Sequence, residues 1–472
     1  MKSIISTLML STVPTSLLLL VSAAHAQDVA DIPESVRDNV EMLIQKGLDD
    51  DIGYTFVRDL TTEVGPRLAG SEAEERARNW STQELAELGF ANVRVEPFEI
   101  PFWSRRVDRA RIASPAPQDL VITALGGSTS TPDGGVEAEV IRFESMYELR
   151  EASSDVVAGK IVFIDEKMTR TQDGTGYGMA VRKRRNCATT TSEKGGVACL
   201  IRSVGTQERR FAHTGMMARA SAVGDGPAAA LSPPDAEQLT RLLEKGPVKV
   251  QLDIQVETKP KALSGNVIAE VVGRERPEEI VLIGCHLDSW DLGTGAVDDG
   301  AGCGIVVAAA HLIQSLEQAP RRTIRVVLYG AEEVGLLGGF AYAERYADAM
   351  DQHILAAESD FGADIVWRFE TRFGEGALPY ARAIQQVLEP LGVARGHNLA
   401  SGGPDISMLP RVGVPVVTPR QNGWDYFDLH HTPDDTFDKI DRDKLNQNIA
   451  TYAAFVYLAA EMNWDFRKAA TD

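Results

Sequence analysis

Cysteine and histidine are scarce in this chain of 472 residues, with four of the first and eight of the second. Four cysteines (187, 199, 285 and 303) are too few for a disulfide scaffold, and their spacing excludes a zinc finger. Cys187 and Cys199 can pair in an oxidising compartment, whereas Cys285 and Cys303 read as buried small hydrophobes. Positive charge is short as well: 48 Lys and Arg stand against 68 Asp and Glu, for a net charge of −20. That balance excludes nucleic acid as a partner, because phosphate contacts need a basic surface. The one basic run, Arg182-Lys183-Arg184-Arg185, reads as a solvated helix face. Long apolar runs are missing too, and no segment beyond the N-terminus approaches a membrane span.

What is present begins with a leader. Lys2, a short apolar run centred on Leu17 to Val21, and Ala24-His25-Ala26 have the layout of a cleaved signal peptide. Residues 1–26 are expected to be removed, leaving a product free of the membrane, secreted or periplasmic. With 44% hydrophobic residues the chain can build large cores, and its length implies two or three domains. Residues 27–127 start one domain, and a Gly/Ser/Thr/Pro cluster at 126–135 breaks the pattern. Residues 128–259 then read as a β-rich insertion, and 260–472 complete the first domain. In that last part, buried strands at 267–272, 280–284, 323–329, 354–357 and 414–418 alternate with helices at 300–316, 334–349, 378–391 and 442–462. The alternation predicts an α/β fold, a mostly parallel mixed sheet covered by helices on both faces.

The chemistry-bearing residues gather at one edge of that sheet. His286-Leu287-Asp288 follows the strand at 280–284, and Glu332-Glu333 follows the strand at 323–329. Glu358-Ser359-Asp360 ends the strand at 354–357, Asp298-Asp299-Gly300 opens a helix, and His430-His431 lies in the loop after the last strand. Every group is at a strand's carboxyl end or a helix's amino end, the edge where open α/β sheets bind ligands. Scattered structural acids would not choose one edge. Imidazoles mixed with carboxylates suit zinc. Two metals about 3.5–4 Å apart need a bridging carboxylate plus a His and an acid for each. Asp298 fits the bridge, His286 with Asp360 one metal, and His431 with Glu333 the other. Glu332 is left beside the metals without a ligand role, as a general base must be. Asp288 is expected to accept the second N–H of His286. His311 reads as a satisfied core residue, His353 and His397 as surface residues, and His213 as part of the insertion.

The ordered set His286-Leu287-Asp288-Ser289-Trp290-Asp291, Gly295 to Gly300, Ala331-Glu332-Glu333, Glu358-Ser359-Asp360 and His430-His431-Thr432 resembles the co-catalytic dizinc peptidases of the carboxypeptidase Q group. The likeness covers nearly all of the mature chain, and it makes the insertion look like a protease-associated domain. It implies two zinc ions per chain, the ligand set above, Glu332 as base and a cis bond between Asp298 and Asp299. His430 stands where many dizinc relatives carry Tyr, and is expected to help stabilise the oxyanion. The implied activity is an exopeptidase hydrolysing short peptides or dipeptides by metal-activated water. A carboxypeptidase reading the free C-terminus is the alternative, with Arg420 or Arg411 as its cation. A non-catalytic receptor-like ectodomain, or a one-zinc glutaminyl-cyclase-like acyltransferase, would be expected to lack ligands that this chain retains. Asp405 is a candidate for holding a substrate ammonium group, and a homodimer is left open.

Overall fold

The computed structural model describes residues 29–218 and 226–469, so the expected leader at 1–26 lies outside them. Four strands, Arg322–Tyr329, Arg276–His286, His353–Glu358 and Val416–Gln421, lie side by side and run parallel. Lys249–Val271 and Val366–Arg372 flank them antiparallel. The sheet is mixed and mostly parallel at its centre, as the sequence implies.

Strand periodicity sorts the side chains between two cores. From Arg276–His286, Val281, Ile283 and Cys285 point to one face, where they meet helices Glu34–Leu48, Ala301–Gln314 and Arg442–Glu461. Ile280 and Leu282 point to the other, where Tyr342 of helix Leu337–Arg345 packs with Tyr329 and Ile268. Because both faces are covered, strands in this sheet read as continuous apolar runs. The stretch Ala296–Gln314 is long and apolar enough to cross a membrane, contrary to the sequence expectation; 94% of its apolar window is buried in this core.

A second lobe is built on the same sheet. Strands Val136–Phe143, Ile161–Ile164, Ala198–Arg202 and Ala228–Leu231 run parallel, with Ile122–Ala124 antiparallel at the edge. The expected β-rich insertion also carries helices of 19 and 11 residues, Thr175–Glu193 and Pro233–Leu243. Two long strands, Ala91–Ser114 and Lys249–Val271, pair from Ala91 with Glu270 through to Ser114 with Lys249. The second strand runs straight through position 259 and joins both lobes into one sheet.

Both cysteine pairs are disulfides, Cys187 with Cys199 and Cys285 with Cys303. The latter corrects the reading of these two as unpaired hydrophobes. Sequence distance hides that the end of strand Arg276–His286 and the start of helix Ala301–Gln314 are neighbours, with Cα atoms 5.2 Å apart.

Candidate metal centre

The parallel strands bring the expected groups to one edge. His286 is the last residue of its strand, Glu358 the last of another, and Glu332 and Glu333 lie three and four residues past Tyr329. Ala331 and His431 hold left-handed backbones, φ 59° and 61°, which side-chain-bearing residues seldom adopt outside sites that enforce them. The Asp298–Asp299 peptide bond is cis.

Asp298 is the hub of the site. Its Oδ1 lies 3.1 Å from His286 Nε2, and its Oδ2 lies 3.3 Å from His431 Nε2. Asp360 Oδ1 is 3.7 Å from the same His286 nitrogen, and Glu333 Oε2 is 2.9 Å from the same His431 nitrogen. Donor atoms of His286, Asp298 and Glu333 fall within 4.8 Å of one another, as do those of Asp298, His430 and His431. Among the described residues, Asp298 Oδ2 and Glu333 Oε1 are buried without a hydrogen-bond partner. Buried carboxylate oxygens without donors are costly, and a cation between them removes that cost. The carboxylates also make this a place that holds positive charge. Burial opposes ionisation of Asp298, yet His430, His286 and His431 hold its carboxyl well below the usual range. Burial likewise opposes protonation of His286 and His431, but the facing carboxylates raise both well above the ordinary imidazole value. The donor set therefore fits metal.

Around the donors, a polar frame sets their aim. Asp299 accepts the backbone N–H of His286 and of Gly302, both at 3.1 Å. Asp435 accepts those of Val297 and Asp298 at 2.6 and 3.3 Å. Asp288 departs from its expected role. His286 Nδ1 bonds the Asp288 main-chain carbonyl at 2.8 Å, while the nearer carboxylate oxygen stays 3.9 Å away. That carboxylate instead accepts the N–H groups of Glu332 and Glu333, at 2.9 and 3.3 Å. With the carbonyl meeting the imidazole, the side chain is free to hold the next loop. Glu332 is half-buried, and burial with the acids Asp360 and Glu333 raises its carboxyl well above the usual value.

His430 stacks on His431 with ring centroids 3.5 Å apart, and its Nε2 lies 3.7 Å from Asp298 Oδ2. Asp405 is buried beside Glu358: its N–H donates to Glu358 Oε2 (2.9 Å) and its Oδ1 accepts Gly339 N–H (3.2 Å). Only Oδ2 lacks a partner among the described residues. Of the two candidate cations, Arg420 pairs with buried Glu370 at 2.8 Å, and Arg411 lies exposed in the turn Leu409–Val412.

Several neighbours escape a reading of the sequence. Arg67 is wholly buried and donates to the carbonyls of Leu287, Thr294 and Gly295, fastening the loop between His286 and Asp298. The basic run is not a solvated face. Lys183 and Arg184 are buried, Arg184 donates to Tyr177 Oη at 2.7 Å, and its Nη1 lies 3.4 Å from His431 Nδ1. Successive helical residues point in successive directions around the axis, so four in a row cannot share one face, and here the adjacent Lys183 and Arg184 turn inward while Arg182 and Arg185 stay exposed. His353 is buried rather than on the surface, bonded to Tyr342 Oη at 2.8 Å. His311 is only half-buried, and its Nδ1 finds no partner among the described residues. His397 is exposed, as expected.

This constellation on this fold defines a metallopeptidase, and comparison with known proteins gives the family. Residues 266–456 match the model for peptidase family M28. Carboxypeptidase Q of Mus musculus is 34% identical over 405 residues, covering 86% of this chain and 84% of its own. The chain belongs to peptidase family M28. A crystallised peptidase M28 precursor from Shewanella amazonensis SB2B is 48% identical with a TM-score of 0.90, over 93% of this chain and 99% of that one. A zinc aminopeptidase from Bacillus subtilis shares the fold at 21% identity, TM-score 0.62, over 87% of this chain and 95% of that one.

Proposed function

We propose that the chain is a two-zinc exopeptidase of short peptides, with Glu332 as general base. The observation that carries this reading is the division of Asp298, one oxygen toward His286 and the other toward His431. A carboxylate so divided suits a bridge between two ions. His286 and Asp360 would hold one, Glu333 and His431 the other. Bound zinc would supply Lewis acidity toward the scissile carbonyl and favour ionisation of water. The remaining work falls to side chains. Glu332, half-buried and fixed at its backbone by Asp288, takes the proton of the attacking water and returns it to the departing amine. His430, layered on His431, faces the same space and is placed to donate to the developing oxyanion. The reading is tested by elemental analysis. The wild type is expected to hold two zinc ions per chain and Asp298→Ala neither. Two tightly held ions in the variant would overturn the bridge.

The leader at 1–26, export, and a protease-associated identity for the 128–259 insertion belong to the same proposal. The curated carboxypeptidase Q relatives and the aminopeptidase neighbours leave both peptide ends open as the site of cleavage.

A further inference from the structure

The loop that bears His430 and His431 is gripped from the second lobe. Arg170 Nη2 binds both oxygens of Asp428, at 2.7 and 2.9 Å, and Nη1 binds Asp425 at 2.8 Å. Thr206 donates to Asp428 through its hydroxyl (2.6 Å) and to the Phe427 carbonyl through its N–H (3.1 Å). Tyr177 stacks on Phe427 at 4.8 Å, and Arg209 pairs with Asp434. The grip ends on the residues themselves. His213 Nδ1 bonds the His430 carbonyl at 2.8 Å. Thr214 engages His431 twice, its N–H donating to the His431 carbonyl (3.1 Å) and its own carbonyl lying 3.2 Å from His431 Nδ1.

That reciprocal pair fixes the tautomer. With Nε2 given to the proposed metal between Glu333 and Asp298, the ring proton belongs on Nδ1, which donates it to Thr214 O. Arg184, buried behind the ring, reaches the same carbonyl at 3.5 Å. Gly215 follows at φ 130°, and a Cβ there would lie 2.7 Å from His431 Nδ1 and strike Arg184. The space admits glycine and nothing larger.

We infer that the segment Thr206 to Gly215, with Arg170 and Arg184, is the positioning element for His431. The second lobe is thereby a structural part of the metal position formed by Glu333 and His431. The position formed by His286 and Asp360 is braced from the first lobe, by Asp288, Asp299 and Arg67. Thr214, Arg184 and Arg170 are positioning residues that act through His431 and its loop.

The inference rests on the two-metal reading, so wild-type stoichiometry is measured first on the full mature chain loaded with zinc. Ions are then counted as chelators of increasing strength are added. Gly215→Ala and the double variant Arg170→Ala/Thr206→Val are each expected to release one ion about tenfold more readily, the usual effect of removing a ligand's outer partner. The second ion should stay as tightly held as in the wild type, and Arg170→Lys alone should retain both. Apart from the Arg170 bond to the Thr206 carbonyl, the double variant alters contacts to the loop, so it decides the matter should Gly215→Ala fail to fold. Unchanged retention, or equal loss of both ions, would overturn the inference. A wild type that never holds two ions would sink the two-metal reading and this one with it.

Discussion

At the scale of single residues, adjacent acids divide the labour between Glu332 and Glu333. Glu332→Gln should keep the metals and lose at least ~10²-fold in kcat, the usual contribution of a general base. Glu333→Gln, which removes a charge facing His431 at 2.9 Å, should lose metal first. Comparing kcat with metal content separates the two, and near-wild-type turnover in Glu332→Gln would end its assignment. Asp288 supports both through its carboxylate. Asp288→Ala should therefore reduce turnover and metal affinity together, while Asp288→Asn keeps an acceptor and should fall between. Five of the six groups of the proposed centre are legible in the sequence because they lie at or just past a strand's end or where a helix opens, so type and position agree; His431 sits in a loop well beyond the strand Val416–Gln421. Arg67, Thr214 and Arg184 are not legible. Their roles depend on which carbonyl or ring comes near in space, and nothing in local spacing encodes that. Asp288 is ambiguous for a related reason: two residues after His286, its carbonyl and its carboxylate are equally placed by spacing, and the carbonyl is the one that meets the ring.

At the scale of elements, the strands and helices of the second half follow the sequence closely, since continuous apolar runs signal burial on both faces. The exceptions lie where burial is uneven. The helix expected at 334–349 is shorter, Leu337–Arg345 followed by a 3₁₀ turn at Ala347–Gln352, because the residues after Glu333 curl into a loop that carries the site. That turn delivers His353 into the core, where its Nδ1 bonds the Ala349 carbonyl and its Nε2 meets Tyr342 Oη. Burial, reinforced by Arg325 and Arg467 against the opposing Ala349 carbonyl and Asp351, lowers its pKa from 6.5 to about 4. The unfolded chain then takes up a proton first as the pH falls. Stability from the neutral imidazole is complete above pH 6.5 and is lost between 6.5 and 4. Full protonation of the unfolded state alone costs on the order of 3 kcal/mol. His353→Gln should flatten the pH dependence of urea unfolding across that interval. An unchanged slope would show that His353 does not set it.

At the scale of the whole molecule, the loop from Trp424 to Leu429 is clamped by Arg170, and the proposed activity on short peptides is tested through the two ends of the substrate. Unblocked dipeptides are expected to be cleaved fastest. Acetylating the amino group should abolish most turnover, whereas amidating the carboxyl group should do less. The reverse ranking, measured as kcat/KM on a matched peptide set, would assign a carboxypeptidase. Arg420, already spent on Glu370, is a weaker carboxylate reader than its sequence position suggests. Chelation should silence the enzyme and zinc restore it.

The long pairing of Ala91–Ser114 with Lys249–Val271 also orders events during synthesis. Residue 91 leaves the ribosome far ahead of its partner at 270, and the whole second lobe is made in between. Until then a strand of 24 residues stands without the neighbour that covers most of its length. An open strand of that length is a ready template for another chain. Nascent chains stopped short of residue 271 should therefore need a chaperone, and slow translation across the second lobe would prolong the exposure.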